Sequence, residues 1–384
     1  MYVLIQPVNR KEFVERTFPH AYDVLVYQEG GHYYAKDAYG NVICVDSSTG
    51  CLQEAINYGK HIYVKGIFNV PNPVNIVTGR TVYIDGYISS IKITDQLANT
   101  IEIIGIGNGS SSGHIGDLYM DNNPFKVTFR NLYINSATIR FAGHILFDSC
   151  SFKYVNLNGY NFSDSAYWIT FLRSWIQNPN GNGIDISNGI HILFINSTIN
   201  YSSGVGVNIS GGYFIKFINS DIEGNKTGLV ATYADVVLEE THFYDNIDYS
   251  IYMGVYSTVV IRDHSSVEAA RSGVDIKIDY TTSTLIIDET SAVGNIVGLN
   301  NLGYFKSDNK SYLSRNMGQA TISANTTRVT VSHGLAKAPT KVLITPLGAP
   351  PGKLWVENIT ATSFDIVTDT APTADLQVAW HAEV

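Results

Sequence analysis

No run of apolar residues approaches the roughly 20 that a membrane-spanning helix needs, although 45% of the 384 residues are hydrophobic, so the chain reads as soluble. Charge is sparse: charged residues make up 15%, the formal net charge is −9, and no basic cluster appears. Duplex DNA and anionic membranes both reward clustered Lys and Arg, so neither is an expected partner. There are three cysteines, which fit neither a disulfide framework nor a CxxC metal site. Cys44 and Cys51 could pair across a turn, but two buried thiols are the plainer expectation. The start, "MYVLIQPVNRKEF", has no basic n-region, sustained apolar stretch or small-residue cleavage site. No signal peptide is therefore expected, and a protein of this kind acting outside a cell would leave by another route. No motif calls for a cofactor or a metal.

The chain is rich in Gly (33) and Tyr (25), with Asn, Ser and Thr crowded between apolar stretches, a mixture that suits many short strands joined by tight turns. One phrase recurs: "FRNLYI" at 129, "FDSCSF" at 147, "FLRSWI" at 171, "FINSTI" at 194, "FINSDI" at 217 and "LEETHF" at 238, with weaker copies at 261 and 286. Steps of 18 to 25 residues mark a solenoid. Each phrase begins on an apolar residue (Phe129, Phe147, Phe171, Phe194, Phe217, Leu238) and has another five places on (Ile134, Phe152, Ile176, Ile199, Ile222, Phe243). The third place is polar, as at Asn131, Asn196, Asn219, Glu240 and Asp263, where Asn can take the left-handed conformation and stack its amide on the next coil.

A second column repeats in register at 183, 206, 228, 250 and 273. Alternation puts Ile184, Val207, Leu229, Ile251 and Val274 on one face with Ile186, Ile209, Ala231, Met253 and Ile276. Asp185, Asn208, Val230, Tyr252 and Asp275 then point outward. With two or three short strands per repeat and no amphipathic helix between them, the expected fold is all-β: a right-handed single-stranded parallel β-helix.

The segment "DSSTGCLQEAINYGKHIYVKGIFNV" resembles the entrance of pectate-lyase-like β-helices, where a short helix caps the open end of the coil. Ser48 or Thr49 would be its N-cap, and Leu52, Ala55 and Ile56 its buried face. Upstream, "YDVLVYQEGGHYYAKDAYGNVICV" reads as a β-meander. The last 60 or so residues are similar to the lectin-like β-sandwich that closes many phage tail fibres, in His333 to Leu335, Pro339, Pro346, Trp355 to Thr360, Thr362 to Phe364 and Val378 to Ala382. The expected layout is an N-terminal meander and capping helix (1–60), the β-helix (61–305), a linker (306–319) and an antiparallel sandwich (320–384).

Pectate-lyase-like folds include hydrolases, lyases, esterases and adhesins. Polygalacturonase-type hydrolases carry N-T-D-G-x-D, a paired Asp-Asp and Gly-His-Gly; here "NGNGID" puts Asn182 where the first catalytic Asp belongs, and no Gly-His-Gly follows. Calcium-dependent lyases need an Arg base beside clustered Asp, whereas Arg173 and Arg262 lie far apart along the axis. His333 sits in "SHGL", where a structural turn role is expected rather than a metal.

The fifth and seventh places of each phrase should face outward and put Trp175, Gln177, Thr198, Asn200, Asp221, Glu223, His242 and Tyr244 on one surface. Asp221 as general base and Glu223 as general acid are the catalytic candidates. Trp175, Gln177, Asn200, His242 and Tyr244 are the carbohydrate-binding candidates. A plain solvated polar face is the competing explanation. The resemblance implies a tail-spike or fibre-like protein on a virion surface, a homotrimer whose sandwiches meet near the shaft axis and which binds a host polysaccharide or glycoprotein glycan. A glycan depolymerase on the same shaft and a cellular adhesin are the alternatives.

Overall fold

The computed structural model describes residues 22–94, 100–106, 113–121, 125–158, 166–268 and 270–384; the leader reading of the first residues lies outside them. Strands β1 (Val24–Glu29), β2 (His32–Asp37) and β3 (Val42–Asp46) form the expected meander. Helix α1 (Gly50–Tyr58) follows, burying Cys51, Leu52, Ala55 and Ile56. Thr49 is its N-cap, but no side chain there makes a capping hydrogen bond. The expectation of two free thiols is corrected: Cys44 and Cys51 are joined in a disulfide, their Cα atoms 5.4 Å apart, tying β3 to the helix. β1 also pairs in parallel with β4 (His61–Phe68), so the meander grows directly out of the first coil.

From β4 to the strand Tyr304–Ser307, parallel strands wind into a solenoid of about 10 turns whose coils pair in parallel, with a register shift between Gly212 and Ile215. Its right hand is that of parallel crossovers in general. Phe129, Phe147, Phe171, Phe194, Phe217, Leu238, Ile261 and Ile287 align in one column. The five phenyl rings stack at centroid spacings of 4.8, 5.1, 4.9 and 4.5 Å, the strand spacing of a sheet. Ile134, Phe152, Ile176, Ile199, Ile222 and Phe243 align in a second buried column.

The corner between these two columns is made at the third place of the phrase. Asn131, Ser149, Arg173, Asn196, Asn219, Glu240 and Asp263 are all left-handed there, with φ between 46° and 56°. Asn196 and Asn219 form an amide step there, at 2.9 Å. The continuous polar ladder lies one residue further on and inside the coil, where Ser174, Ser197 and Ser220 are buried. Each hydroxyl takes the backbone N–H of the preceding coil, as in Ser174 N to Ser197 Oγ (3.1 Å) and Ser197 N to Ser220 Oγ (3.2 Å). A corner peptide that cannot reach a sheet partner is thereby satisfied without water.

In the second repeat column, Ile184, Val207, Leu229 and Ile251 align as expected, but the next coil is displaced by two residues. Ile276 pairs with Ile251 and Ile278 with Met253, so Val274 leaves the column. Asp275 is buried rather than outward, because its carboxylate accepts the backbone N–H groups of Ala270 and Asn295, both at 2.8 Å.

Two three-stranded antiparallel sheets close the chain: Arg315–Ile322, Leu376–Glu383 and Lys341–Pro346, facing Arg328–Ser332, Ser363–Thr368 and Leu354–Glu357. The first of these strands begins within the stretch read as a linker and runs on into the expected sandwich. Ile322, Phe364, Ile366, Val378 and Trp380 form their own core. His333 is fully buried there: Nδ1 accepts from Leu335 N (3.0 Å), and Nε2 lies 3.2 Å from the Thr360 carbonyl, which fixes the proton on Nε2.

Candidate functional site

Three short strands, Trp175–Gln177, Thr198–Asn200 and Asp221–Glu223, stack in register with a fourth, His242–Tyr244. Each buries its middle residue, so side chains before and after it must project on the opposite side. Trp175, Thr198, Asp221 and His242 make one row; Gln177, Asn200, Glu223 and Tyr244 make the next. All the residues expected on this face are brought together.

Their environments differ from a uniform exposed surface. Trp175 and Tyr244 are 51% and 41% exposed, but Asn200 is 2% exposed. Its carbonyl oxygen accepts from Trp175 Nε1 at 2.7 Å, and its amide donates to Glu223 Oε1 at 3.1 Å. Glu223 also accepts the phenolic hydrogen of Tyr244, and that bond, followed by burial, holds the phenol above its usual range. A relay Trp175, Asn200, Glu223, Tyr244 thus crosses four coils. Asn200 is its interior link rather than a contact for solvent.

Burial, the largest influence, raises the Asp221 carboxyl above its ordinary value; His242 beside it pulls the other way and the charge of Glu223 adds to the rise. A carboxyl with a raised folded value holds its proton more tightly in the fold. Its contribution to stability is complete below the unfolded value of about 3.9 and is lost as pH rises through the folded value. Asp221→Asn is therefore expected to raise the thermal midpoint at pH 7 and to leave it unchanged at pH 3, as a calorimetric pH series would show.

One residue of this face is not apparent from strand alternation. Tyr201, at φ 50°, turns the corner after Asn200 and is 55% exposed. On the next coil the same corner is Gly224, also left-handed, and a Cβ there would lie 2.8 Å from the Tyr201 ring. The absent side chain makes room for that ring beside Glu223 and Tyr244. Trp175, Tyr201 and Tyr244 consequently surround the Asn200 and Glu223 pair with three exposed aromatic side chains.

The positions compared with hydrolases and lyases are occupied by structural contacts. Asp185 accepts from Asn182 (2.9 Å), Asn208 (2.8 Å) and Tyr154 (3.0 Å). Arg173 pairs with Asp148 at 2.6 Å, and Arg262 with Glu239.

A second feature stands at a different corner. His144, Trp168, His191 and Phe214 are stacked on successive coils beside a cleft of about 510 Å³, whose floor includes Leu146, Leu193, Lys216 and Val237.

Residues 161–326 match a family model described as a right handed beta helix region. No curated protein matches the chain. Among solved structures, the Dettilon tailspike protein (gp208) is 11% identical over 87% of this chain and 90% of its own, with a TM-score of 0.45. PfbA, a surface adhesin of Streptococcus pneumoniae, is 11% identical over 84% and 95%, with a TM-score of 0.41. ORF18 of Geobacillus virus E2 is 14% identical over 94% and 88%, with a TM-score of 0.40. These are likenesses of winding and assign no activity.

Proposed function

We propose that the chain is a tail-spike or fibre-like protein of a virion surface that binds host-surface glycan through the face centred on Asn200 and Glu223, and that it works as a homotrimer. The observation that carries the binding reading is the disposition of three exposed aromatic side chains around a hydrogen-bonded amide and carboxylate. Aromatic rings offer flat apolar platforms to the C–H faces of sugar rings, and a fixed carboxylate accepts their hydroxyls. The relay holds Trp175 and Tyr244 in place before any ligand arrives, which lowers the ordering cost of binding.

A depolymerase is the second reading, and the raised Asp221 carboxyl beside Glu223 is what favours it. In that case Asp221 and Glu223 are the two carboxyl groups that would share the base and acid roles. The test is an array of bacterial and archaeal surface oligosaccharides, followed by assay of any bound polysaccharide for shorter products. Binding by the wild type, weakened about tenfold to a hundredfold in Trp175→Ala, is the expected result. An array with no bound sugar overturns the glycan reading. Release of oligosaccharide, lowered about 10²- to 10⁴-fold in Asp221→Asn or Glu223→Gln, replaces the binding protein by the enzyme.

A further inference from the structure

On the face centred on Asn200 and Glu223, the fixed hydrogen-bond donors are spent inside the chain. Trp175 gives its Nε1–H to Asn200, Asn200 gives its amide to Glu223, and Tyr244 gives its hydroxyl to Glu223 as well. Acceptors remain. Glu223 uses two of the roughly four acceptor positions of a carboxylate. Half-buried Asp221, on the same strand and roughly 6.6 Å away, makes no hydrogen bond and no ion pair with any described residue. The polar groups left over in the two rows, on Gln177, Thr198 and His242, include no lysine or arginine.

Nor does charge from outside the rows balance the pair. Arg173 is held by Asp148 at 2.6 Å and Arg271 by Asp245 at 3.4 Å. Lys226 forms no ion pair with a described residue, and Lys153 lies three coils from Glu223, roughly 14 Å away. The two carboxylates are flanked by rings: Tyr201 on the coil before Glu223 and Tyr244 on the coil after, 55% and 41% exposed. Neither stacks on another ring, so each has a face to offer. The ring ladder of His144, Trp168, His191 and Phe214, left-handed at φ of 54° to 57°, differs in this respect. Trp168 and His191 turn both faces to their neighbours, at centroid distances of 4.2 to 5.8 Å.

A group that suits this arrangement brings donors and positive charge, and an aromatic face rewards a cation. A protonated amine meets all three conditions, with three N–H donors on one charge. A hydroxyl brings one donor and no charge, an N-acetyl amide sets a further acceptor among acceptors, and an acidic sugar adds a third negative charge. Burial raises the Asp221 carboxyl, and an ammonium beside it supplies the counter-charge that the chain withholds. Trp175 stands two coils from Glu223, roughly 10 Å away, where it can carry another ring of the same oligosaccharide. Resting on the glycan reading above, we infer that the ligand is a glycan with a free amino sugar, its ammonium seated between Asp221 and Glu223 against Tyr201 and Tyr244, and that uronic, sialic and sulfated glycans are rejected.

The test is titration of the full chain with oligosaccharides of the array, each in three forms: with the amine free, with the amine N-acetylated, and with a uronic acid in place of the amino sugar. Bound sugars are expected to carry the free amine, and N-acetylation is expected to weaken them roughly tenfold to a hundredfold, the range for a lost hydrogen bond to a charged group. Asp221→Asn and Glu223→Gln should bring the free and acetylated forms level, whereas Trp175→Ala should weaken both alike. Glu54→Gln, the same change of charge on the exposed side of α1, should leave the preference intact. Should neither site variant fold, the comparison of the three forms on the wild type decides alone. Sugars bound equally well when acetylated, bound acidic glycans, or a preference that survives in both folded variants overturn the inference and leave the glycan reading standing. An array with no bound sugar overturns both.

Discussion

Replacing Phe194 by alanine is expected to lower the unfolding free energy by about 3–5 kcal/mol, the range for large aromatic truncations in a core. Phe194 is fully buried between Phe171 at 4.9 Å and Phe217 at 4.5 Å. In a solenoid each coil rests only on its neighbours, so a missing ring cannot be filled by repacking from across a globular core. Closing the gap would mean shortening the axial spacing, which the backbone ladders on all sides hold at the strand separation. Phe214→Ala, three residues before Phe217 and 65% exposed, removes a ring of the same size outside the core and is expected to cost the monomer much less. Urea midpoints of the two variants, measured at the same chain concentration, compare them directly. Equal midpoints would mean that the phenyl column is not what holds the coils together.

That column was legible because it needs only two properties of the sequence, an interval and an apolar residue. Phe147, Phe171, Phe194 and Phe217 occupy one lattice line whatever the loops between them do. The rows of the candidate site followed from the same lattice: once Ile176, Ile199 and Ile222 are inside, Trp175, Asp221 and Glu223 must be outside. Alternation says which way a side chain leaves the backbone but not what closes over it. Asn200 leaves outward and is then covered by its bonds to Trp175 and Glu223. The failure at Val274 has a similar origin, since "GVDIK" copies the form of "GVNIS" while Asp275 is required inside to hold Ala270 and Asn295. The ring ladder escaped notice because Trp, Phe and His contradict the usual preferences of a left-handed corner. Its signal was nonetheless periodic: His144, Trp168, His191 and Phe214 each stand three residues before a phenylalanine of the column.

Asn225→Ala is expected to cost about 2–6 kcal/mol and to weaken binding at the candidate site as well, because one buried amide supports both. Asn225 has no exposed surface, so its Asn-Lys-Thr sequence is no acceptor for a glycan. Its carbonyl oxygen takes the N–H of Ser202 at 3.0 Å, and its amide donates to the carbonyl of Ile199 at 3.1 Å. Those two bonds clamp the turn that carries Asn200 and Tyr201 from both sides. Alanine would orphan a donor and an acceptor in the interior, each costing about 1–3 kcal/mol. It would also release the Asn200 link between Trp175 and Glu223. Asn219→Ala is the comparison: Asn219 is another Asn on the same coil, its amide step to Asn196 is solvent-exposed, and its left-handed φ of 46° adds a backbone cost for alanine, so the loss should be about 1–2 kcal/mol. Urea midpoints measure the stability difference, and titration of whichever array sugar binds the wild type measures the functional one. An Asn225→Ala protein as stable as Asn219→Ala would show that the turn is held from elsewhere. One that is destabilised but binds with unchanged affinity would separate the corner amide from the site and leave Trp175 and Glu223 positioned by their own coils.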